Sequence, residues 1–237
     1  MGSMILSKLR LWLVIAAVSS PVLASAEINQ LTEVERKDGW RLLFDGKSFE
    51  GWRNYKEEGV RDGWKVVDGM MQHTKGGKDL MTVEQFEDFE LKIEWKIAEG
   101  ANSGIFVGVR EIDDKISRSG IEMQIIDNDR HPDAKNEKNV SGACYGLYKP
   151  PAGVHRKAGE WNQVHIIKKG SLYQFFQNGV KTADFDLEST NFINLIADAK
   201  FKKWPHFARY RKGHIGLQDH GDGVYFRNIK LKEISTK

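Results

Sequence analysis

Phe89-Glu90-Leu91-Lys92-Ile93-Glu94-Trp95-Lys96-Ile97 decides the fold class. Every odd position is apolar and every even position is charged. A helix would scatter the five apolar side chains around its circumference. An extended chain puts them on one face and the charges on the other. The segment reads as a strand with one buried and one wet face. Strand-like runs recur at Trp64–Val67, Ser103–Val109, Ile121–Ile126, Gln163–Lys168, Leu172–Gln177, Val180–Phe185, Ile215–Gln218 and Val224–Ile234. Asn178-Gly179 joins two of them as a tight hairpin turn. Many short strands without alternating helices predict an all-β fold, a sandwich of antiparallel sheets. One segment departs from the pattern. Ser189 or Thr190 can cap a single short helix carrying Phe192, Leu195, Ile196 and Ala199 and ending before Pro205. The stretch from Asp127 to Gly153 is long, polar and rich in Pro, Gly and Asn, the composition of a functional loop.

The first residues read as an address. Lys8 and Arg10 precede the apolar run Leu11–Val18, and Ala24-Ser25-Ala26 forms a small-residue cleavage site. The run is too short to span a bilayer. The expectation is a signal peptide over 1–26, cleavage before Glu27, one domain over 27–237, and a soluble periplasmic or secreted protein. Cleavage takes Lys8 and Arg10 away and lowers the formal charge of +3 by two, leaving no footprint for nucleic acid or an anionic membrane. The single cysteine, Cys144, allows no internal disulfide and reads as a small packed residue. Oligomeric state is not encoded in any of these features.

Chemistry concentrates in two segments. In Ile121-Glu122-Met123-Gln124-Ile125, the apolar residues face the core and Glu122 and Gln124 share the opposite face. An ordinary solvent face would show the same pattern. Two further features point to a site. The preceding strand puts Asn102, Gly104, Phe106, Gly108 and Arg110 on one face, its glycines leaving room above the sheet, and the long loop begins at Asp127. Charge-poor neighbours place the Glu122 strand at the sheet centre. In Gly216-Leu217-Gln218-Asp219-His220-Gly221, Gln218 and His220 share a face, and a strand-end histidine suits acid/base work near neutral pH. Tyr225 and Arg227 alternate with core residues and are assigned to the same site. Trp204 and Tyr148 sit in loops where they could stack on a sugar ring. The seven histidines show no metal-ligand spacing, and no cofactor motif is present. A hard divalent ion on Glu122, Asp127 and carbonyls is compatible with these residue types.

Eight blocks in order complete the reading: Trp40–Lys47, Gly51-Trp52, Asn102–Phe106, Glu122–Ile125, Gly159–Asn162, Asn178-Gly179, Gly216–Gly221 and Phe226–Ile229. Together they resemble the signature of the 3-keto-disaccharide hydrolase family over residues 39 to 234. The resemblance implies a concanavalin A-like jelly-roll sandwich and a small carbohydrate substrate oxidised to a ketone at carbon 3. Many relatives carry an aromatic at the position of Ile121, which bears on fine substrate preference. Ordinary glycoside hydrolysis needs two carboxylates. Here the residue about 7 Å along the strand from Glu122 is Gln124, which cannot serve. A 3-keto sugar does not require the pair. Its ketone acidifies the C2–H, so one base, one acid and donors for the enolate oxygen suffice. Glu122 and His220 are the expected catalytic pair. His220 is favoured as the base, with Glu122 orienting the sugar or protonating the leaving group. Asn102, Arg110, Gln124, Asp127, Tyr148, Gln218 and Arg227 are the expected substrate-binding residues. A non-catalytic carbohydrate-binding module and an ordinary glycoside hydrolase are the competing readings.

Overall fold

A computed structural model of the chain describes residues 28–235. The signal-peptide and cleavage-site expectations fall outside these residues. The fold is an antiparallel sandwich of an eight-stranded and a five-stranded sheet. The larger sheet runs in the order β11 (Val180–Asp186), β10 (Leu172–Gln177), β9 (Asn162–Lys169), β6 (Phe89–Ile97), β13 (Val224–Glu233), β4 (Met70–His73), β3 (Trp64–Val67), with β1 (Arg41–Leu42) also paired to β13. The smaller sheet runs β2 (Trp52–Asn54), β5 (Leu80–Thr82), β12 (His214–Leu217), β7 (Asn102–Val109), β8 (Ile121–Ile126).

The alternating segment forms β6 over its full length, with odd positions buried and even positions half-buried. Leu91, Ile93 and Trp95 meet Ile105, Met123, Ile125, Ile215 and Leu217 from the smaller sheet in one core. Each such side chain contributes roughly 1.5–3 kcal/mol when fully buried. Asn178 and Gly179 both take positive φ, 51° and 81°, as a two-residue hairpin of this twist requires.

Two expectations are corrected. The chain has a second short α-helix, α1 (Glu33–Lys37), capped by Thr32, besides α2 (Thr190–Asp198), capped by Ser189. And β8, which carries Glu122, is an edge strand, not a central one. Its charge-poor character has another cause: the loop after it folds back along the free edge. Gln124 N donates to Ala143 O at 3.0 Å, Gly142 N to Gln124 O at 2.9 Å and Tyr145 N to Glu122 O at 3.1 Å. Covered in this way, an edge strand needs no charges to repel a partner.

Candidate active site

The outer face of β8 and β7, with Gln218 just past β12, forms the floor of a cavity of about 110 Å³. Pairing fixes the arrangement: Phe106 lies opposite Glu122, Gly104 opposite Gln124 and Gly216 opposite Phe106. Gly104 makes room for the acid. A Cβ there would stand 3.0 Å from Glu122 Cδ and closer still to its Oε1. The walls come from elsewhere in the chain. Phe201, Trp204 and Phe207 follow α2, Cys144 and Tyr145 belong to the loop beside β8, and Ser117 and Gly120 precede it. Phe201 and Phe207 stack at 4.2 Å and make that wall apolar.

Burial in this setting pushes the Glu122 carboxyl up to about 8. Nearby Asp79 adds to the rise and Lys200 works against it. Near pH 7 the side chain is therefore chiefly protonated, able to donate a proton and, once ionised, to take one back. Asp79, half-buried and desolvated there, is raised to about 6. Around Glu122 stand three amide oxygens, Asn102 Oδ1, Gln124 Oε1 and Gln218 Oε1, each buried and without a hydrogen-bond partner among the described residues. A buried acceptor left unpaired costs about 1–3 kcal/mol. Three of them converging on one cavity suit a ligand that brings several hydroxyl donors.

His220 stands at the cavity mouth, on a well-anchored turn. Asp219 Oδ1 accepts from Gly221 N at 2.7 Å and lies 3.0 Å from Nε2 of buried His73, out of line for a hydrogen bond. Asp219 N donates to Asp79 Oδ1 at 3.0 Å. Beyond the turn, Asp222 Oδ2 accepts from Asn102 N at 3.1 Å and lies 3.5 Å from His220 Nδ1. The ring of His131 approaches that of His220 at 5.9 Å.

Five residues expected from the sequence meet at this cavity: Asn102, Glu122, Gln124, Gln218 and His220, together with Trp204. Four expected binding residues do not line it. Arg227 is corrected to the other sheet, where it donates to Glu94 at 2.8 Å and covers the Trp161 ring; Tyr225 shares that face. Arg110 lies over Tyr210, at 4.9 Å from the ring centroid. Tyr148 stacks on Phe185 and packs against the core. Asp127 accepts from Gly100 N at 2.7 Å and Asp129 N at 3.0 Å, so its carboxylate pins a turn. An ion shared by Glu122 and Asp127 does not fit this placement. Burial pushes the Cys144 thiol up, consistent with a packed residue.

The sequence reading missed Lys200, Tyr145, Phe201, Phe207 and Asp133 on the cavity wall. Asp133, exposed at the rim, is the second carboxylate that the strand pattern had not revealed. The available signal was the tract Lys200–Phe207, three aromatics in a non-periodic stretch, although two of them, Phe201 and Phe207, also join the core.

Comparison with known proteins shows the family and the fold. A family model described as a 3-keto-alpha-glucoside-1,2-lyase-like domain matches residues 39–232. A 3-keto-disaccharide hydrolase of Bacteroides thetaiotaomicron is 34% identical, the match covering 92% of this chain and 86% of that protein. A solved structure of a candidate glycosyl hydrolase from Parabacteroides distasonis superposes with a TM-score of 0.83 at 31% identity, over 88% of this chain and 100% of that one. A galectin-like protein of Bacillus subtilis, at 12% identity and a TM-score of 0.52 over 90% and 97% of the two chains, shares the fold alone.

Proposed function

The chain belongs to the 3-keto-alpha-glucoside-1,2-lyase-like family, and from that membership we propose that it cleaves glycosides whose sugar ring is oxidised to a ketone at carbon 3. The observation that supports this most is Glu122, a buried, largely protonated carboxyl among three amide oxygens without partners. The amides accept hydrogen bonds from ring hydroxyls. The reaction is an elimination followed by hydration. A base takes the C2 proton, and the C–H electrons become the C2–C3 double bond of an enolate. The enolate collapses to the ketone, forming C1=C2 and breaking the bond from C1 to the leaving oxygen. Glu122 gives its proton to that oxygen. Water then adds across C1=C2, its oxygen to C1 and its proton to C2. The basic function falls to the His220 side of the cavity.

Asp133 at the rim supports a second reading, ordinary hydrolysis by Glu122 and Asp133 as a carboxyl pair. One experiment separates the two. The protein is incubated with a 3-keto-glucoside and, in parallel, with its unoxidised parent. Cleavage restricted to the oxidised sugar, with solvent deuterium incorporated at C2, is expected. Equal cleavage of both substrates without deuterium at C2 would reject the elimination. A carbohydrate-binding module would bind sugar and cleave neither.

Lys8, Arg10, the apolar run and Ala24-Ser25-Ala26 support export by a cleaved signal peptide. Among the described residues no helix is long and apolar enough to cross a membrane. Mass spectrometry of the cell-derived protein tests this: an N-terminus at Glu27 is expected, and a retained leader would reject it.

A further inference from the structure

The proposed elimination needs a group that draws electron density from the keto oxygen. Arg110, a cation expected among the binding residues, lies off the cavity, and among the described lining residues the basic side chains are Lys200 and His220. His220 has company. His131, on the loop after β8, and Asp222, just before β13, bring ligand atoms to within 4.8 Å of one another and of His220. Atoms this close can share one ion at ordinary bond lengths of about 2.0–2.2 Å.

We propose that His131, His220 and Asp222 form a binding site for one divalent transition-metal ion at the mouth of the cavity. The donor set argues for the metal class. Two imidazoles and one carboxylate suit zinc, manganese, cobalt or iron, whereas magnesium and calcium prefer oxygen ligands alone. Three protein ligands leave coordination positions open, the arrangement of a catalytic centre and not of a closed structural one. All three side chains reach solvent to some degree, so an ion and its water can enter. The site is also partly preorganised. Asp222 is fixed by the 3.1 Å bond from Asn102 N, and the turn carrying His220 is held by Asp219. One contact competes. His131 Nδ1 accepts from Asp133 N at 3.2 Å, a long and exposed bond that a cation on this ring would displace.

The inference rests on the keto-sugar reading and specifies what the His220 side does in it. His220 would act as a ligand and not as a free base. The ion's open positions would take the keto oxygen and a water whose acidity the ion raises, and the resulting hydroxide would receive the C2 proton and become water.

Metal binding can be measured without any sugar. Metal-free protein is titrated with Zn2+, Mn2+ and Co2+, with Mg2+ as the hard-ion control, by calorimetry and by the visible spectrum of bound Co2+. One equivalent bound in the micromolar range or tighter is expected, and more than about 100-fold weaker in His131→Ala, since loss of even an outer partner costs about 10–100-fold. His131 is the first choice because it anchors little else; an unchanged thermal melt shows that the variant folds. Absence of saturable binding, or wild-type affinity in His131→Ala, overturns the site. Turnover of a 3-keto-glucoside is then compared before and after chelation. Loss on chelation and recovery with added metal are expected. Full turnover by protein shown to be metal-free overturns the inference while leaving the keto-sugar reading intact. Tight binding without turnover of any keto sugar leaves the site standing and removes the reading beneath it.

Discussion

The outer faces of the two sheets are built from similar letters and do opposite things. On the larger sheet, Glu90, Lys92, Glu94 and Lys96 face outward, and their neighbours satisfy them. Lys232 bridges Asp38 and Glu90, Arg227 pairs with Glu94, and His165 lies 3.0 Å from Glu90. On the smaller sheet, Asn102, Glu122, Gln124 and Gln218 face a cavity in which, among the described residues, Glu122 has no ion-pair partner and three amide oxygens have no hydrogen-bond partner. Polarity alone does not mark a site. Buried, unfulfilled polarity that converges on one cavity does, because there the fold bears its cost several times over without any return in stability.

That contrast can be broken by experiment. The largest effect is expected in turnover. Glu122→Gln should slow cleavage of a 3-keto-glucoside by about 10²–10⁴-fold, the usual contribution of a general acid–base group, while Arg227→Ala leaves the rate unchanged. Comparable losses in the two folded variants would erase the distinction between the faces.

Next comes pH-dependent stability. The folded Glu122 carboxyl titrates near 8, above its ordinary 4.5. Between those values the unfolded chain has released the proton and the folded chain still holds it. The folded state binds more protons, so its stability falls as pH rises through this window. Glu122→Gln removes that term. Urea melts should show the variant gaining on the wild type between pH 5 and pH 8, by on the order of a few kcal/mol. Parallel curves at both pH values would mean that the carboxyl is not buried in its neutral form.

A smaller effect separates binding from folding. Gln124→Leu replaces an unpaired acceptor with an apolar side chain and should stabilise the protein by about 1 kcal/mol while raising KM for the sugar. A loss of stability would show that the amide has a partner after all. The smallest effect belongs to the larger sheet. Breaking the partly exposed Arg227–Glu94 pair should cost only about 0.2–1 kcal/mol in a double-mutant cycle. A larger coupling would reveal a network there of the kind assigned to the cavity side.

The sequence disclosed what depends on neighbours along the chain. β6 follows from its period of two, the 178–179 hairpin from its dipeptide, and the common face of Glu122 and Gln124 from strand alternation. It did not disclose what depends on pairing. Period cannot say which sheet a strand joins, so Arg227 was assigned to the wrong one. Nor can it separate a central strand from an edge strand hidden by a loop, as at β8. His131 and His220 meet only because the loop after β8 and the turn after β12 converge at the same end of the sheet. Short strands such as Met70–His73 and Leu80–Thr82 carry too few residues to show a period.

The backbone of residues 142–145 that closes the edge of β8 ties two evolutionary pressures together. The same few residues wall the cavity and shield a strand from joining the sheet of a neighbouring molecule. Shortening this loop to admit a bulkier sugar would also uncover a template for aggregation. Drift in substrate range should therefore proceed by exchange of side chains within a loop of constant length, with insertions and deletions gathering at the exposed far end near Pro150–Gly153.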